Sequence, residues 1–215
     1  MWLNFHTHRP LEANEYTIGS AGLHPWYLQA ENWAEQLAAL EQRLVAGGVQ
    51  MVGECGLDKR CGAPYELQRQ AFEAQLELAE RYARPVVVHC VHAYGDLMQL
   101  RTQRAWAQPW VVHGFTGTYT LYRQLAQLGI EVSVGVALLH NEKVQAAVGC
   151  LASGDFFLET DEADVPVKKL YEAAAQLLKI DVETLMMAIG EKAHHLLSAK
   201  GNAERHARES AKGNA

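Results

Sequence analysis

The sequence predicts an α/β fold in which parallel strands alternate with helices, and three observations carry that prediction. Short apolar runs recur along the chain, several of them ending in a polar, potentially reactive residue. The runs are continuous in Val, Ile, Leu and Phe instead of alternating with polar residues, as suits parallel strands buried on both faces. Apolar residues at helical spacing follow them. A repeated strand-then-helix order implies a parallel sheet with right-handed crossovers, either open or closed into a barrel. With 215 residues the chain can hold one such domain, and a barrel of this length stands at the small end.

The elements follow in order. "LNFH" (3–6) is a short apolar run leading into "HTH" (6–8). Side chains at i and i+2 of a strand point the same way, so His6 and His8 project together. "QMVGECGLD" (50–58) reads as a buried strand entering a glycine-containing turn. "RPVVVHC" (84–90) starts a β-branched run at Pro85 and stops it at His89, and "QPWVVHGFTG" (108–117) repeats that plan at His113. "IEVSVGVAL" (130–138) and "FFLETDEADVP" (156–166) supply further strands, for about seven in all. Phe72, Leu76, Ala79 and Ala83 mark one helix face, and Leu170, Ala173, Ala174, Leu177 and Leu178 another. Asp181 is placed to cap a last helix whose buried stripe is Met186, Ile189, Ala193, Leu196 and Leu197. Residues 1–200 therefore read as a single domain. "SAKGNA" occurs at 198–203 and again at 210–215, and this polar stretch without apolar periodicity reads as a flexible tail over 201–215.

Composition narrows the function. The chain is 49% hydrophobic and 20% charged with a formal net charge of −6, so it lacks the broad basic footprint of a non-specific duplex binder. Any nucleic acid must be held at a local site. The cysteines, Cys55, Cys61, Cys90 and Cys150, form no C-x-x-C pair and no disulfide framework. No run reaches membrane-span length and no signal peptide stands at the start, so a soluble cytoplasmic protein is expected.

His6, His8, His24, Glu54, His89, His113 and Asp161 all fall at or just after predicted strand ends. In parallel α/β folds that is where sites form. Imidazoles and carboxylates on separate strand ends make a mixed nitrogen and oxygen donor set, with enough ligands for two divalent ions and a carboxylate such as Glu54 to bridge them. Two ions roughly 3.5–4 Å apart generate hydroxide near neutral pH and stabilise both oxygens of a displacement. Zn²⁺, Mn²⁺ and Mg²⁺ all suit such donors. Glu54 lies inside an apolar strand, where an unpaired carboxylate is costly and a metal accounts for it better than a salt bridge. Asp161 has a rival in Glu159, which strand alternation puts on the same face. Asp58 reads as orienting a loop or a neighbouring ligand. Cys55 and Cys90 each follow a site residue and so face the opposite way, into the core. Trp26 and Phe115 flank site residues, where a ring either stacks on a base or closes the pocket. His92, His140, His194 and His195 read as structural or surface residues.

The local words, taken together, resemble the TatD family of metal-dependent deoxyribonucleases and related hydrolases. The matching stretches are "HTH" (6–8), "GLHPW" (22–26), "GECGLD" (53–58), "RPVVVHC" (84–90), "VVHGFTGT" (111–118) and "FLETD" (157–161), and the resemblance covers most of residues 1–197. It implies a TIM-type (β/α) barrel with a binuclear metal site. Carried over by position, His6, His8 and Asp161 would hold one ion, His89 and His113 the other, with Glu54 between them. His24 would contact the scissile phosphate, and Asp161 could take the proton of the attacking water. The implied activity is hydrolysis of DNA, from a 3′ end and preferring single strands.

Departures from the family pattern qualify that expectation. Asn4 stands where the family usually has Asp, two residues before the first metal histidine. Val91 and His92 replace a usual Arg-containing word, a loss for which Lys59, Arg60 or Arg9 could compensate at the substrate. Only 15 residues (9–23) separate His8 from His24, where the family fits a helix and a strand, so the barrel is expected to be shortened. Two other readings stand beside the nuclease. One is a metal-dependent amide or ester hydrolase on the same site, and the other is a subunit that needs a protein partner.

Overall fold

Seven strands and seven α-helices form among the residues that the computed structural model describes, which are 2–6, 18–47 and 49–198. His8, Arg9 and the 201–215 tail lie outside them, and Asn4 and His6 are described only as backbone of the first strand. The chain divides into two compact units, with the boundary between Trp110 and Val111.

In the first unit, β1 (Trp2–His6), β2 (Ile18–Gly22), β3 (Met51–Asp58) and β4 (Val86–Val91) pair in that order, all parallel. They are joined by α1 (Trp33–Val45) and α2 (Tyr65–Arg81), and α3 (Tyr94–Gln103) follows β4. All eight residues of β3 are buried, Glu54 and Asp58 among them, as suits a parallel strand covered on both faces. The face of α2 carrying Ala71, Phe72, Leu76 and Ala79 is buried, and α2 packs on β3. Ala83, the last member of the expected stripe, lies beyond the helix end with φ 51° and is exposed.

β2 locates the expected shortening. "IGSAG" is too small and polar to announce itself as a strand, yet it pairs with β1 from Trp2 opposite Ile18 to His6 opposite Gly22. The strand is therefore present. The abbreviation falls on the connection before it, which has only eleven residues (7–17).

β5 (Trp110–Val112) begins at the unit boundary. The second unit contains α4 (Tyr119–Gln127), β6 (Ile130–Val134), α5 (Glu142–Val148), β7 (Phe157–Leu158), α6 (Val167–Leu178) and α7 (Val182–Leu197), with β6 and β7 parallel. The expected strand over 130–138 gives way to a 3-10 turn at Val136–Leu139, and the one over 156–166 keeps only two paired residues. Asp181 caps α7 as expected, its carboxylate accepting from the Thr184 amide at 2.7 Å. The buried stripe of α7 is Leu185, Ile189 and Leu196, while Met186 is 54% exposed and is not core. None of the described helices is long and apolar enough to cross a membrane.

Candidate metal centre

The site of the first unit starts with the backbone of β3. Its pairing with β4 shifts register between Val52 and Cys55, so Gly53 and Glu54 form a bulge, a device that re-aims a side chain. Gly53 and Gly56 have φ of 140° and 150°. A Cβ would stand 2.4 Å from the Val87 carbonyl oxygen at Gly53 and 2.0 Å from that of His89 at Gly56. Glycine alone fits both the torsion and the approach. The "GECG" word thus serves to seat Glu54 against β4. Glu54 lies at the fourth of eight strand positions, which corrects its expected place at a strand end.

Glu54, His89 in β4 and His24 just after β2 converge. One potential ligand atom from each lies within 4.8 Å of the others, and all three residues are buried. The His24 Nε2 atom is 3.5 Å from Glu54 Oε2, and the His24 and His89 rings meet edge-to-face with centroids 4.4 Å apart. A carboxylate at 9% exposure among two imidazoles is a donor set suited to a divalent ion.

Hydrogen bonds distinguish the two imidazoles. His24 caps a 3-10 turn (Pro25–Tyr27), its Nδ1 accepting from the Trp26 amide at 3.1 Å. A neutral His24 therefore carries its proton on Nε2, toward Glu54, and acts there as a donor. His89 has the opposite arrangement, with Nε2 3.1 Å from Asp58 Oδ2. Burial pushes the Asp58 carboxyl up, but hydrogen bonds from Trp26, from the Arg60 amide and from His89, with the attraction of the His89 ring, outweigh burial. They hold it below its ordinary value. As a carboxylate Asp58 only accepts, so in a neutral His89 Nε2 carries the proton and Nδ1 the lone pair. A carboxylate that fixes tautomer and ring orientation is the usual companion of a metal-binding histidine. Asp58 thus holds both the Arg60 amide of the following loop, at 2.7 Å, and the ring of His89, a candidate ligand.

The second unit repeats this arrangement. His113 Nδ1 lies 3.6 Å from Glu159 Oε1, and the same carboxylate accepts from the Gly114 amide at 2.6 Å and the Ser133 hydroxyl at 2.5 Å. Glu159 is therefore tied to a histidine, an amide and a hydroxyl. Asp161 does not share a strand face with it, because β7 ends at Leu158. Asp161 is exposed in a turn with φ 48°.

The remaining expected residues separate clearly. Trp26 is 59% exposed and donates its indole N–H to Asp58 Oδ2 at 2.7 Å. Phe115 is 2% exposed and packs over Gly117, so its ring belongs to the interior instead of a base-stacking surface. Lys59 is engaged by Asp96 at 2.6 Å, whereas Arg60 lines a hollow of about 330 Å³ with Trp26, Asp58, Cys61 and Gly62. Cys55 and Cys90 are buried, and burial pushes the Cys90 thiol up to about 12 and that of Cys55 higher still, with the charge of Glu54 adding at Cys55. Neither is a nucleophile. His92, His140, His194 and His195 are exposed.

Two positioning residues escaped the sequence reading. Gln75 of α2 accepts from the Leu23 amide at 2.6 Å and donates to the Leu23 carbonyl at 3.3 Å, fixing the residue before His24. Gln68 accepts from the Asp58 amide at 2.7 Å and donates to the Asp58 carbonyl at 3.0 Å. Both are almost fully buried. Their signal was available, since they fall in phase with Phe72, Leu76 and Ala79, and a glutamine on an apolar stripe must find partners.

The family model described as TatD related DNase matches residues 7–205. An uncharacterized metal-dependent hydrolase of Escherichia coli, YjjV, is 34% identical over 152 residues, which are 68% of this chain and 58% of that protein. A protein of Erwinia billingiae named 3′-5′ ssDNA/RNA exonuclease TatD is 36% identical over 128 residues, 55% of this chain and 46% of that one. The matched segment thus spans about half the length of these curated relatives. Among solved structures, that of E. coli YjjV superposes with a TM-score of 0.77 at 25% identity, covering 86% of this chain and 78% of the other. A TatD family hydrolase of Entamoeba histolytica superposes with a TM-score of 0.70 at 19% identity, over 84% and 74%. The α/β fold is thus that of the TIM-type barrels of this group in a shortened form, and the chain belongs to the TatD family.

Proposed function

We propose that the chain is a metal-dependent hydrolase that cleaves phosphodiester bonds of DNA, working from the 3′ end of a single strand. The observation that carries this reading is the division of labour among three buried groups. Glu54 and His89 present a carboxylate and an imidazole whose tautomer is set by Asp58, while His24 presents a donor N–H beside them. A divalent ion held by Glu54 and His89 would supply Lewis acidity and a water of lowered pKa. Asp58 keeps the His89 lone pair on Nδ1, the nitrogen available for ligation. His24 Nε2 donates to a phosphoryl oxygen, where negative charge builds during displacement. His113, held by Glu159, has the same ring-to-carboxylate arrangement and is the ligand candidate of the second unit. The nuclease names of several relatives support DNA or RNA as the substrate class.

The test uses chelator-stripped protein, a labelled single-stranded DNA oligonucleotide and Mg²⁺, Mn²⁺ or Zn²⁺ added back. A ladder growing from the 3′ end is expected with at least one ion. Glu54→Gln should lower the rate by more than about 100-fold, since loss of an outer partner alone commonly costs about 10–100-fold. Failure of folded, metal-loaded protein to cut any oligonucleotide would overturn the reading. Turnover of an ester or amide instead would move the same groups to a carbonyl substrate.

A further inference from the structure

Trp26 holds Asp58 and His24 through its N–H groups, yet the face of its indole, 59% exposed beside two buried imidazoles, has no role in the proposed hydrolysis. Its ring is fixed, not merely exposed. The indole N–H is committed to Asp58 Oδ2 at 2.7 Å, and the ring stands edge-to-face to both His24 and His89, with centroids 5.0 and 5.7 Å away. A ring held in this way loses little freedom when a flat group settles on it.

Trp26 is also the shared wall of two hollows. The hollow of about 330 Å³ contains the Asp58 carboxylate and Arg60. The other, of about 510 Å³, runs from Trp26 past Tyr27 and Leu28 to Pro64 and Leu67. Among the described residues that line the larger hollow there is no Lys or Arg, and Glu31 is one of them. Such a lining repels a phosphate and suits a flat, largely apolar group. The Tyr27 ring is 5.7 Å from His24, so a group resting in this hollow remains within one nucleotide of the candidate metal ligands.

Resting on the phosphodiesterase reading, we propose that the larger hollow is a base subsite. It takes one unpaired nucleobase on the Trp26 indole, with Tyr27 alongside, while the adjoining phosphate lies at His24. Every base has a π-face, so the subsite is tolerant of sequence. A base still stacked in a duplex cannot present that face, so the subsite selects single strands or frayed ends. The aromatic pair lies next to the groups that hold the phosphate, so the base serves to position the bond to be cut.

The experiment compares a short end-labelled oligothymidylate with a strand of equal length whose residues at the cleaved end lack bases. Binding to Ca²⁺-loaded protein is read by fluorescence anisotropy, and cleavage is read separately with the activating ion. Wild type should bind the strand with bases about tenfold more tightly, the scale of one base-on-aromatic stack. Trp26→Leu should bind both strands alike, and Trp26→Phe, which keeps a ring but loses the N–H to Asp58, should restore much of the preference. Equal binding of the two strands by wild type, or a full preference surviving in Trp26→Leu, would overturn the proposal even if DNA were cleaved. Base-dependent binding that follows Trp26 without any cleavage would uphold the subsite and overturn the phosphodiesterase reading alone.

Discussion

Glu159 shows how much one carboxylate can organise. Burial pushes its carboxyl up, but the His113 ring, the Ser133 hydroxyl and the Gly114 amide together bring it below its ordinary 4.5. A group whose folded pKa lies below its unfolded value stabilises the fold fully above that unfolded value. The contribution fades as pH falls through the folded pKa. Glu159→Gln should therefore cost about 1–3 kcal/mol at pH 7, because charged acceptors are among the more valuable hydrogen-bond partners. The difference from wild type should shrink as the pH drops below about 4.5. Urea unfolding between pH 3 and 7 measures it, and a pH-independent difference would show that the charge itself contributes nothing. This role was half legible. Glu159 could be named from "FLET", but its partners arrive from "HG" at 113–114 and from Ser133, and no spacing rule links those words.

At the scale of elements, α2 acts as a caliper on the first unit's site. Gln68 and Gln75 are seven residues apart, about 10 Å along the helix. Each holds both backbone polar groups of one strand-end residue, Asp58 and Leu23 respectively. Replacing either by Leu preserves the apolar stripe but strands a buried amide, so each substitution should cost about 1–3 kcal/mol. Groups that far apart should act independently, and the double variant should be additive within about 0.5 kcal/mol. Urea denaturation of the four proteins tests both points, and strong non-additivity would mean that the helix and both strand ends yield together. The strands themselves were legible where β-branched runs are continuous, as in "VVVHC". β2 was not, because Gly19, Ser20 and Ala21 carry almost no apolar signal and the strand exists through its neighbours. Met186 misled in the opposite way, being apolar and nearly in phase yet exposed, with Leu185 taking the buried position.

Across the whole molecule, the charge balance leaves any polyanion to be held by a local site. Several basic side chains are engaged by acids, as in Arg69 with Glu73, Arg81 with Glu41, Arg104 with Glu77 and Lys192 with Glu131. The exposed ones among these pairs add little stability, but all of them reduce the positive field that a polyanion would feel. The excess of acids over bases in the sequence announced as much. What the sequence could not supply is tautomer and direction. The family words gave His24 and His89 different roles, but only the Trp26 amide and the Asp58 carboxylate show which ring nitrogen each one presents. The burial of Cys55, immediately after Glu54, has a practical consequence of a different kind. A thiol closed off in the strand that carries the site is a stopwatch for the opening of that strand. A maleimide should consume exposed Cys150 at once and reach Cys55 only when β3 parts from its neighbours. Peptide mass spectrometry would time the two separately. Divalent ion should slow the Cys55 clock while leaving Cys150 unchanged, reporting metal occupancy without any substrate.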